Sequence, residues 1–403
     1  MTARPPARPH PALLLICLLT CAPPAPAGAA EVYRRGDASI DVGGRLHLDV
    51  GAVDDRAGAV DRTDGELRRA RLELGADWRR WAGRLQLEFS DLDDKDRPQI
   101  LNAFIRRDGP VAVTVGQRRS VNSLEAQTST NDTPLIERAG FINAFDITRQ
   151  LGVTLAGDMA GDMGGGVRWQ VSAQRAALED AGDDANTTLA ARLFGAWTAP
   201  SGRTLVAGLS LRGRDTAGGQ RPLRYAQRPF SPVAGRLVDA GRIGARDLLV
   251  GAEVAWRKGA WAAQGEAALL AVDLAAPLPG QRDPLFAGGY AQISWSPTGD
   301  LPRLDTTRGR LRAPAIARPL HQGGPGAIAL VARADWLDLT DNAVFGGRQL
   351  AAQAGVSWRP IAQVRLVANV SRGWVRDGLA SGLNDADGGN AFTTVAIRAQ
   401  ATY

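Results

Sequence analysis

The chain has 403 residues, 44% hydrophobic and 22% charged, with a formal net charge of +6, too mild a basic excess to point to a nucleic-acid partner. Its two cysteines, Cys17 and Cys21, lie near the N-terminus, so the rest of the chain can build neither a disulfide nor a thiolate metal site. Lys95 and Lys258 are the only lysines, and arginine supplies the other 46 of the 48 basic residues; GC-rich coding and selection for guanidinium chemistry both account for that bias.

Residues 1–30 read as a secretory signal. Arg4 and Arg8 come first, then the apolar run 12–19, then Ala27-Gly28-Ala29, with cleavage expected just before Ala30 or Glu31. The run is far shorter than the roughly 20 apolar residues of a membrane-spanning helix. Leu18-Leu19-Thr20-Cys21 imitates a lipoprotein box only weakly, because Thr20 stands where a smaller residue is expected. Without Arg4 and Arg8 the chain keeps 46 basic residues against 42 acidic ones, a side-chain charge of +4. Residues 31–403 are expected to form a single domain.

That domain is a succession of alternating segments about ten residues long. Sixteen are predicted, at 40–52, 66–78, 81–90, 99–107, 110–117, 150–157, 166–176, 188–199, 203–214, 248–257, 260–274, 286–296, 326–336, 348–359, 362–371 and 391–403. In the third quarter of the first hundred residues, Ala70, Leu72, Leu74, Ala76 and Trp78 share one face, while Arg69, Arg71, Glu73 and Asp77 share the other. The last segment places Val395, Ile397, Ala399, Ala401 and Tyr403 opposite Thr394, Ala396, Arg398, Gln400 and Thr402. Such strands need apolar surroundings outside and water inside. In hydrocarbon every backbone polar group must be paired, so strands cross only as a closed barrel, with about 9–11 residues per crossing and an even strand number. The expected fold is therefore all-β, a 16-stranded antiparallel transmembrane barrel.

Connections should alternate between short inner turns and long outer loops. Residues 78–81, 108–110, 200–202, 258–259 and 360–361 suit inner turns, and 117–149 and 215–247 suit outer loops. The stretch 297–325 is long although it counts as periplasmic; it either folds back into the barrel or forms a solvated turn. Tyr403 would end the closing strand at the inner interface, where an aromatic ring sits at headgroup level.

By parity the lumen wall presents Arg45, Arg69, Arg71, Arg84, Arg168, Arg192, Arg212, Arg214, Arg333, Arg365 and Arg398, with Asp41, Asp49, Glu73, Glu88, Glu253, Glu266 and Asp335. A wet arginine wall in a low-dielectric cylinder concentrates anions, and guanidinium forks match phosphate oxygens in pairs. Alternatively these groups pair across strands and simply keep the lumen wet. Arginines near a constriction should matter most, because charge attraction weakens in a wider, better screened lumen such as that expected at Arg168 and Arg365. The candidate anion ligands are therefore Arg119 and Arg138 in the long outer loop and Arg310 and Arg312 in the long inner segment. Arg118, Arg149, Arg69 and Arg71 complete the set.

Several ordered motifs resemble the phosphate-selective porin O/P family over nearly the whole mature chain. They are Gly116-Gln117, Arg119, Ser123-Leu124-Glu125, Glu137-Arg138, Ala144-Phe145, Arg149 and Gly152-Val153, followed by VGAEVAW from Val250, GYAQISWSPTGD from Gly289, ALVARADWLDL from Ala329 and AGVSWRP from Ala354. The resemblance implies an outer-membrane trimer passing small anions, phosphate or polyphosphate, along an arginine-lined path narrowed by inward-folded segments. Ser120-Val121-Asn122 replaces the aromatic and proline usual in the family after the basic residue, which bears on the constriction's geometry.

Two other classes compete: a general porin of weak selectivity, and a structural or adhesive barrel without transport. An enzyme is not expected, since only His47 and His321 remain beyond the signal. No cofactor is expected either; the acidic loop 91–96 could hold calcium, but its spacing matches no calcium loop and it reads as solvated. Expected partners are small inorganic anions and outer-membrane lipid.

Overall fold

The computed structural model describes residues 29–90, 97–159, 165–178, 186–217, 221–231, 233–379 and 389–403. The expected signal, apart from its last residues, and the acidic loop 91–96 lie outside the described residues. No described helix is long and apolar enough to cross a membrane. The chain crosses with strands.

In chain order these are β1 (Ala30–Arg35), β2 (Ala38–Asp55), β3 (Arg62–Trp78), β4 (Trp81–Glu88), β5 (Gln99–Arg107), β6 (Val111–Arg119), β7 (Arg149–Met159), β8 (Gly165–Arg175), β9 (Thr187–Thr198) and β10 (Thr204–Asp215). They continue with β11 (Leu223–Gln227), β12 (Val238–Lys258), β13 (Trp261–Leu274), β14 (Leu285–Trp295), β15 (Arg303–Asp305), β16 (Arg310–Arg312), β17 (Ala327–Asp341), β18 (Val344–Ile361), β19 (Val364–Gly378) and β20 (Asn390–Thr402). Among the described residues sixteen of them, all but β1, β11, β15 and β16, pair antiparallel with their neighbours around a closed wall. Closure is made by β2 on β20, from Arg45 opposite Thr402 to Asp55 opposite Phe392. Each of the sixteen predicted segments falls on one wall strand. Several strands run beyond the predicted spans, β12 to 21 residues, because the hydrogen-bonded ladder continues past the level where lipid enforces alternation, whereas β4 stops at Glu88, short of its predicted end at 90.

The extra strands have a clear physical role. β1 pairs with β2 below the point where β20 ends, and β11 pairs with β12 above the point where β10 ends. Each covers an edge that would otherwise present unpaired backbone groups.

Burial follows parity. On β20, Val395 and Ile397 are exposed to the outside, while Thr394, Ala396, Arg398 and Gln400 are buried inside. One irregularity changes the lumen: His47 faces Arg69 while Leu48 faces Leu67, so Arg68 forms a β-bulge in β3. The bulge returns Leu67 to the outer face and turns an additional arginine inward. Exposed Trp78, Trp81, Trp261, Trp295 and Tyr403 ring the short-turn end, and Trp336, Phe345 and Trp374 lie toward the other, as the two interfaces of a bilayer require.

Candidate functional site

Residues 120–148 do not stand outside the barrel. They fold into it, with Val121, Leu124, Leu135, Phe141 and Phe145 almost fully buried. This segment holds only two short helices, Leu124–Gln127 and Gly140–Ala144, so most of its backbone groups lack regular partners. Wall side chains supply them by a division of chemistry. Carboxylates accept the N–H groups: Glu266 from Leu124 and Glu125 at 3.0 and 2.7 Å, and Asp335 from Gly140 at 3.0 Å. Guanidiniums donate to the carbonyls: Arg212 to Phe145 at 2.8 Å, Arg398 to Ile136 at 3.1 Å, and Arg365 to Thr133 and Pro134 at 2.8 and 3.2 Å. Glu125 also pairs with Arg333 and accepts from the Ala139 N–H at 2.8 Å.

The inner hairpin β15–β16 enters from the opposite end and meets this segment. The Leu311 N–H donates to Thr128 Oγ1 at 3.0 Å, and Leu311 packs with Leu124 and Phe194. Arg192 reaches the Gly309 carbonyl at 2.6 Å, and Arg168 that of Thr306 at 2.8 Å. Gly309 has φ +56 and a Cβ there would lie 2.9 Å from Arg192 Nη2, so glycine suits both the turn and the contact. Of the two readings for this long segment, folding back into the barrel is the one observed.

These contacts correct one expectation. Arg365 does not face a wide, screened lumen; it is 3% exposed and engaged with loop carbonyls. Arg168 is half engaged, between Asp158 at 2.8 Å and the inner hairpin. Parity gave their direction correctly, but a wall arginine beside a folded-in backbone becomes a tether. Arg192, Arg214 and Arg398 are likewise paired, with Glu253, Asp247 and Asp49. On this side the lumen is filled by an apolar cluster including Phe141, Phe145, Tyr225, Phe286, Tyr290 and Phe392.

Open space remains on the other side, between residues 120–148 and strands β2 to β7. An inner chamber of about 420 Å³ is lined by Arg45, Arg69, Arg71, Arg84, Arg106, Arg118, Arg119, Arg138, Arg149, Arg308 and Arg310, with Asp41 and Glu73 as the lining acids. A neck of about 240 Å³ shares Arg69, Arg119 and Arg138 with that chamber. An outer mouth of about 460 Å³ shares Asn143, Asp146 and Thr148 with the neck and Arg149 with the chamber. Through these shared lining residues the three spaces adjoin one another along one side of the barrel.

Seven of the eight candidate ligands line the inner chamber: Arg69, Arg71, Arg118, Arg119, Arg138, Arg149 and Arg310. Arg312 stands apart, half exposed and 3.9 Å from Asp305, which lies equally far from Arg310. The seven are not equivalent. Arg71 pairs with Glu88 at 2.5 Å, as Arg84 does with Asp77 at 2.8 Å. Arg119 donates to the Ile147 carbonyl at 2.5 Å, Arg138 to those of Glu125 and Thr128 at 3.3 and 2.9 Å, and Arg149 to Asn102 Oδ1 at 3.1 Å. Arg69 Nε is buried without a hydrogen-bond partner among the described residues.

Burial lowers the pKa of the Arg138 guanidinium from its ordinary value, with Arg71 and Arg398 adding to the effect and Glu125 and Glu137 opposing it. Burial likewise lowers that of Arg310, with Arg308 and Arg312 adding and Asp305 and Asp132 opposing. Crowded, desolvated cations of this kind gain when an anion enters.

The sequence reading missed Arg68, which the bulge turns into the neck, and Arg221, Arg224, Arg236 and Arg242 at the mouth. Arg106 was recoverable, since it shares parity with the half-buried Phe104 on β5. His47 is buried and bonds Asn131 Oδ1 at 2.8 Å, a wall contact rather than an open base.

A closed sixteen-stranded barrel with an apolar outer face and adjoining polar spaces inside it is the architecture of an outer-membrane channel. The profile of the family described as "Phosphate-selective porin O and P" matches residues 40–403, and the chain belongs to that family, whose members are porins of the bacterial outer membrane. A Caulobacter vibrioides protein described as uncharacterized is 32% identical over 394 residues, covering 91% of this chain and 77% of that one. Among solved structures, in-vitro folded OmpT, an outer membrane protein of Vibrio cholerae, superposes with a TM-score of 0.56 at 10% identity, over 93% of this chain and 100% of that one. The anion-selective porin from Comamonas acidovorans gives 0.55 at 12% identity, over 91% and 100%. Both are likenesses of fold.

Proposed function

We propose that the protein gives passive diffusion of small anions, phosphate or polyphosphate among them, across the outer membrane along an eccentric route beside residues 120–148. The observation that carries this reading is that Arg69, Arg118, Arg119, Arg138 and Arg149 line the inner chamber without an ion-pair partner among the described residues. A guanidinium without a carboxylate, in a partly dry passage, keeps its attraction for a passing oxyanion. The family's name and the anion selectivity stated for the Comamonas acidovorans porin support the same reading.

Residues 31–403 would act as one porin domain after removal of 1–30, and the protein would work as a channel rather than an enzyme. A homotrimer is the proposed assembly; one Vibrio cholerae OmpT structure is described as a trimer form. The decisive experiment is the reversal potential of the purified protein in planar bilayers under a potassium chloride gradient. Anion selectivity supports the proposal; a pore without selectivity favours the general-porin alternative, and absence of conductance favours a structural barrel.

A further inference from the structure

The outside of the barrel carries charge where lipid should meet it. On β19 the outward side chains follow one another as Val370, Arg372, Trp374 and Arg376, all of them exposed. Arg372 therefore stands one outward position to the hydrocarbon side of Trp374, a member of the aromatic girdle at the long-loop end. A guanidinium on the lipid face is costly unless an anion meets it. Arg372 donates to Thr393 Oγ1 at 2.7 Å and its Cζ lies 6.0 Å from the centroid of the Trp374 ring, but it has no ion-pair partner among the described residues. Arg376 has none either. It stands directly opposite Arg348 of β18, an unfavourable pairing of like charges, and the carboxylates of Asp338 and Asp377 both go to Arg348, at 3.2 and 3.0 Å.

Beside these two arginines the wall is low. Ala334 faces Ala352 and Ala332 faces Ala354 across β17 and β18, and all four are exposed. Trp336 and Leu350 border this patch toward the long loops, Leu330 and Val356 border it toward the short turns, and Arg372 and Val370 border it on β19. Small side chains framed by large ones leave a shallow bed in which an acyl chain can lie in contact. Unneutralised cations at the head-group edge of that bed call for an amphiphile with an anionic head. Guanidinium forks meet phosphate oxygens two at a time and are weakly hydrated, which suits a phosphate held at the border of hydrocarbon. The long-loop end faces the outer leaflet, where phosphate is carried by glycolipid. We infer that Arg372 and Arg376, with the alanine bed beside them, form a binding site on the outside of the barrel for an outer-leaflet glycolipid bearing phosphate groups, the chemistry of lipid A. Both arginines point away from the lumen, so the site is separate from whatever the pore passes.

The test mixes the purified protein in detergent with lipid A, with lipid A stripped of its phosphates, or with phosphatidylglycerol, and measures bound lipid by native mass spectrometry. The wild type should hold lipid A at least about tenfold more tightly than the stripped form, with phosphatidylglycerol nearer the stripped form. Combining Arg372→Gln with Arg376→Gln should weaken lipid A binding about tenfold. Ala334→Leu with Ala352→Leu, which fills the bed and keeps both charges, should weaken it as well. Equal binding of lipid A and its stripped form overturns the inference, and so does unchanged binding in the double arginine variant. A double arginine variant that alters the oligomeric state but not lipid binding gives this face to a second copy of the chain, which also overturns it. The comparison of lipids needs only the wild type, so it decides the matter even where a variant fails to assemble.

Discussion

Arg365 on β19 donates a hydrogen bond to the Thr133 carbonyl oxygen at 2.8 Å, joining the barrel wall to the segment that divides its lumen. Its Nη2 also reaches Pro134 and its Nη1 Asn131, whose carbonyl Arg359 and Gln400 share, while Nε bonds Ser357 on the neighbouring strand, so the Thr133 and Pro134 carbonyls depend most on this one wall residue. Losing a buried partner leaves each such group at a cost of about 1–3 kcal/mol. Arg365→Gln is therefore expected to loosen the partition without removing it, since Arg398 and Glu266 still hold neighbouring stretches. Single-channel recordings should show larger, noisier openings, with the unfolding temperature in detergent lowered. Wild-type noise and stability in this variant would refute the tether.

The sequence made the barrel legible because lipid imposes parity over a whole strand. Val395 and Ile397 outside, with Arg398 between them inside, could be read from alternation alone. It did not reveal the bulge at Arg68, whose effect depends on the partner strand, nor the edge-covering β11. The site was legible in membership but not in roles. Parity says that Arg69 and Arg365 both point inward; it does not say that one lines the open chamber and the other meets a loop carbonyl, because the loop's path is a tertiary fact. Arg310 and Arg312 separate for the same reason: consecutive same-face positions in sequence, they differ once the hairpin turns one toward the chamber and leaves the other half exposed.

Arg119 and Arg138 lie where the neck opens into the chamber, and Arg312 outside it. Unit charges about 4 Å apart attract by roughly 4 kcal/mol at an effective dielectric near 20, so even part of that interaction is decisive in a narrow passage. Arg119→Gln and Arg138→Gln should each lower anion selectivity and weaken phosphate block of chloride current about tenfold, which is a change of roughly 1.4 kcal/mol. Arg312→Gln should leave both nearly unchanged. A larger effect at Arg312 than at Arg119 would place the constriction elsewhere.

Glu266 and Arg333 grip the start of the partition together, one through the Leu124 and Glu125 N–H groups and the other through the Glu125 carboxylate. Glu266→Ala removes both N–H acceptors at once, at a cost of about 1–3 kcal/mol for each group left unpaired. The expected outcome is a barrel that still inserts but whose helix Leu124–Gln127 is cut by protease faster than in the wild type. Equal protection would mean that packing of Leu124 and Phe145, and not these hydrogen bonds, holds the segment inside.

Tyr403 closes the seam. Its N–H donates to the Gly44 carbonyl at 3.2 Å, and its own carbonyl accepts from the Gly44 N–H at 3.0 Å, one step beyond the last paired residues of β2 and β20. The ring lies over Gly44, where a Cβ would stand 2.3 Å from a ring carbon, so any larger residue there must displace the ring. The ring is also half exposed on the outer face at the level of Trp78 and Trp81, as an interfacial anchor must be. Two independent changes should therefore fail in the same way. Removal of Tyr403 takes away the ring and both backbone bonds, while Gly44→Val leaves the tyrosine present but displaces it. Each is expected to lower the amount of heat-modifiable barrel in the outer membrane several-fold, measured by unboiled against boiled electrophoresis of membrane fractions. Gln400→Ala, on the lumen face two strand positions away from Thr402, should assemble normally. If Gly44→Val assembles at the wild-type level while loss of Tyr403 does not, the aromatic acts through something other than its seat on β2.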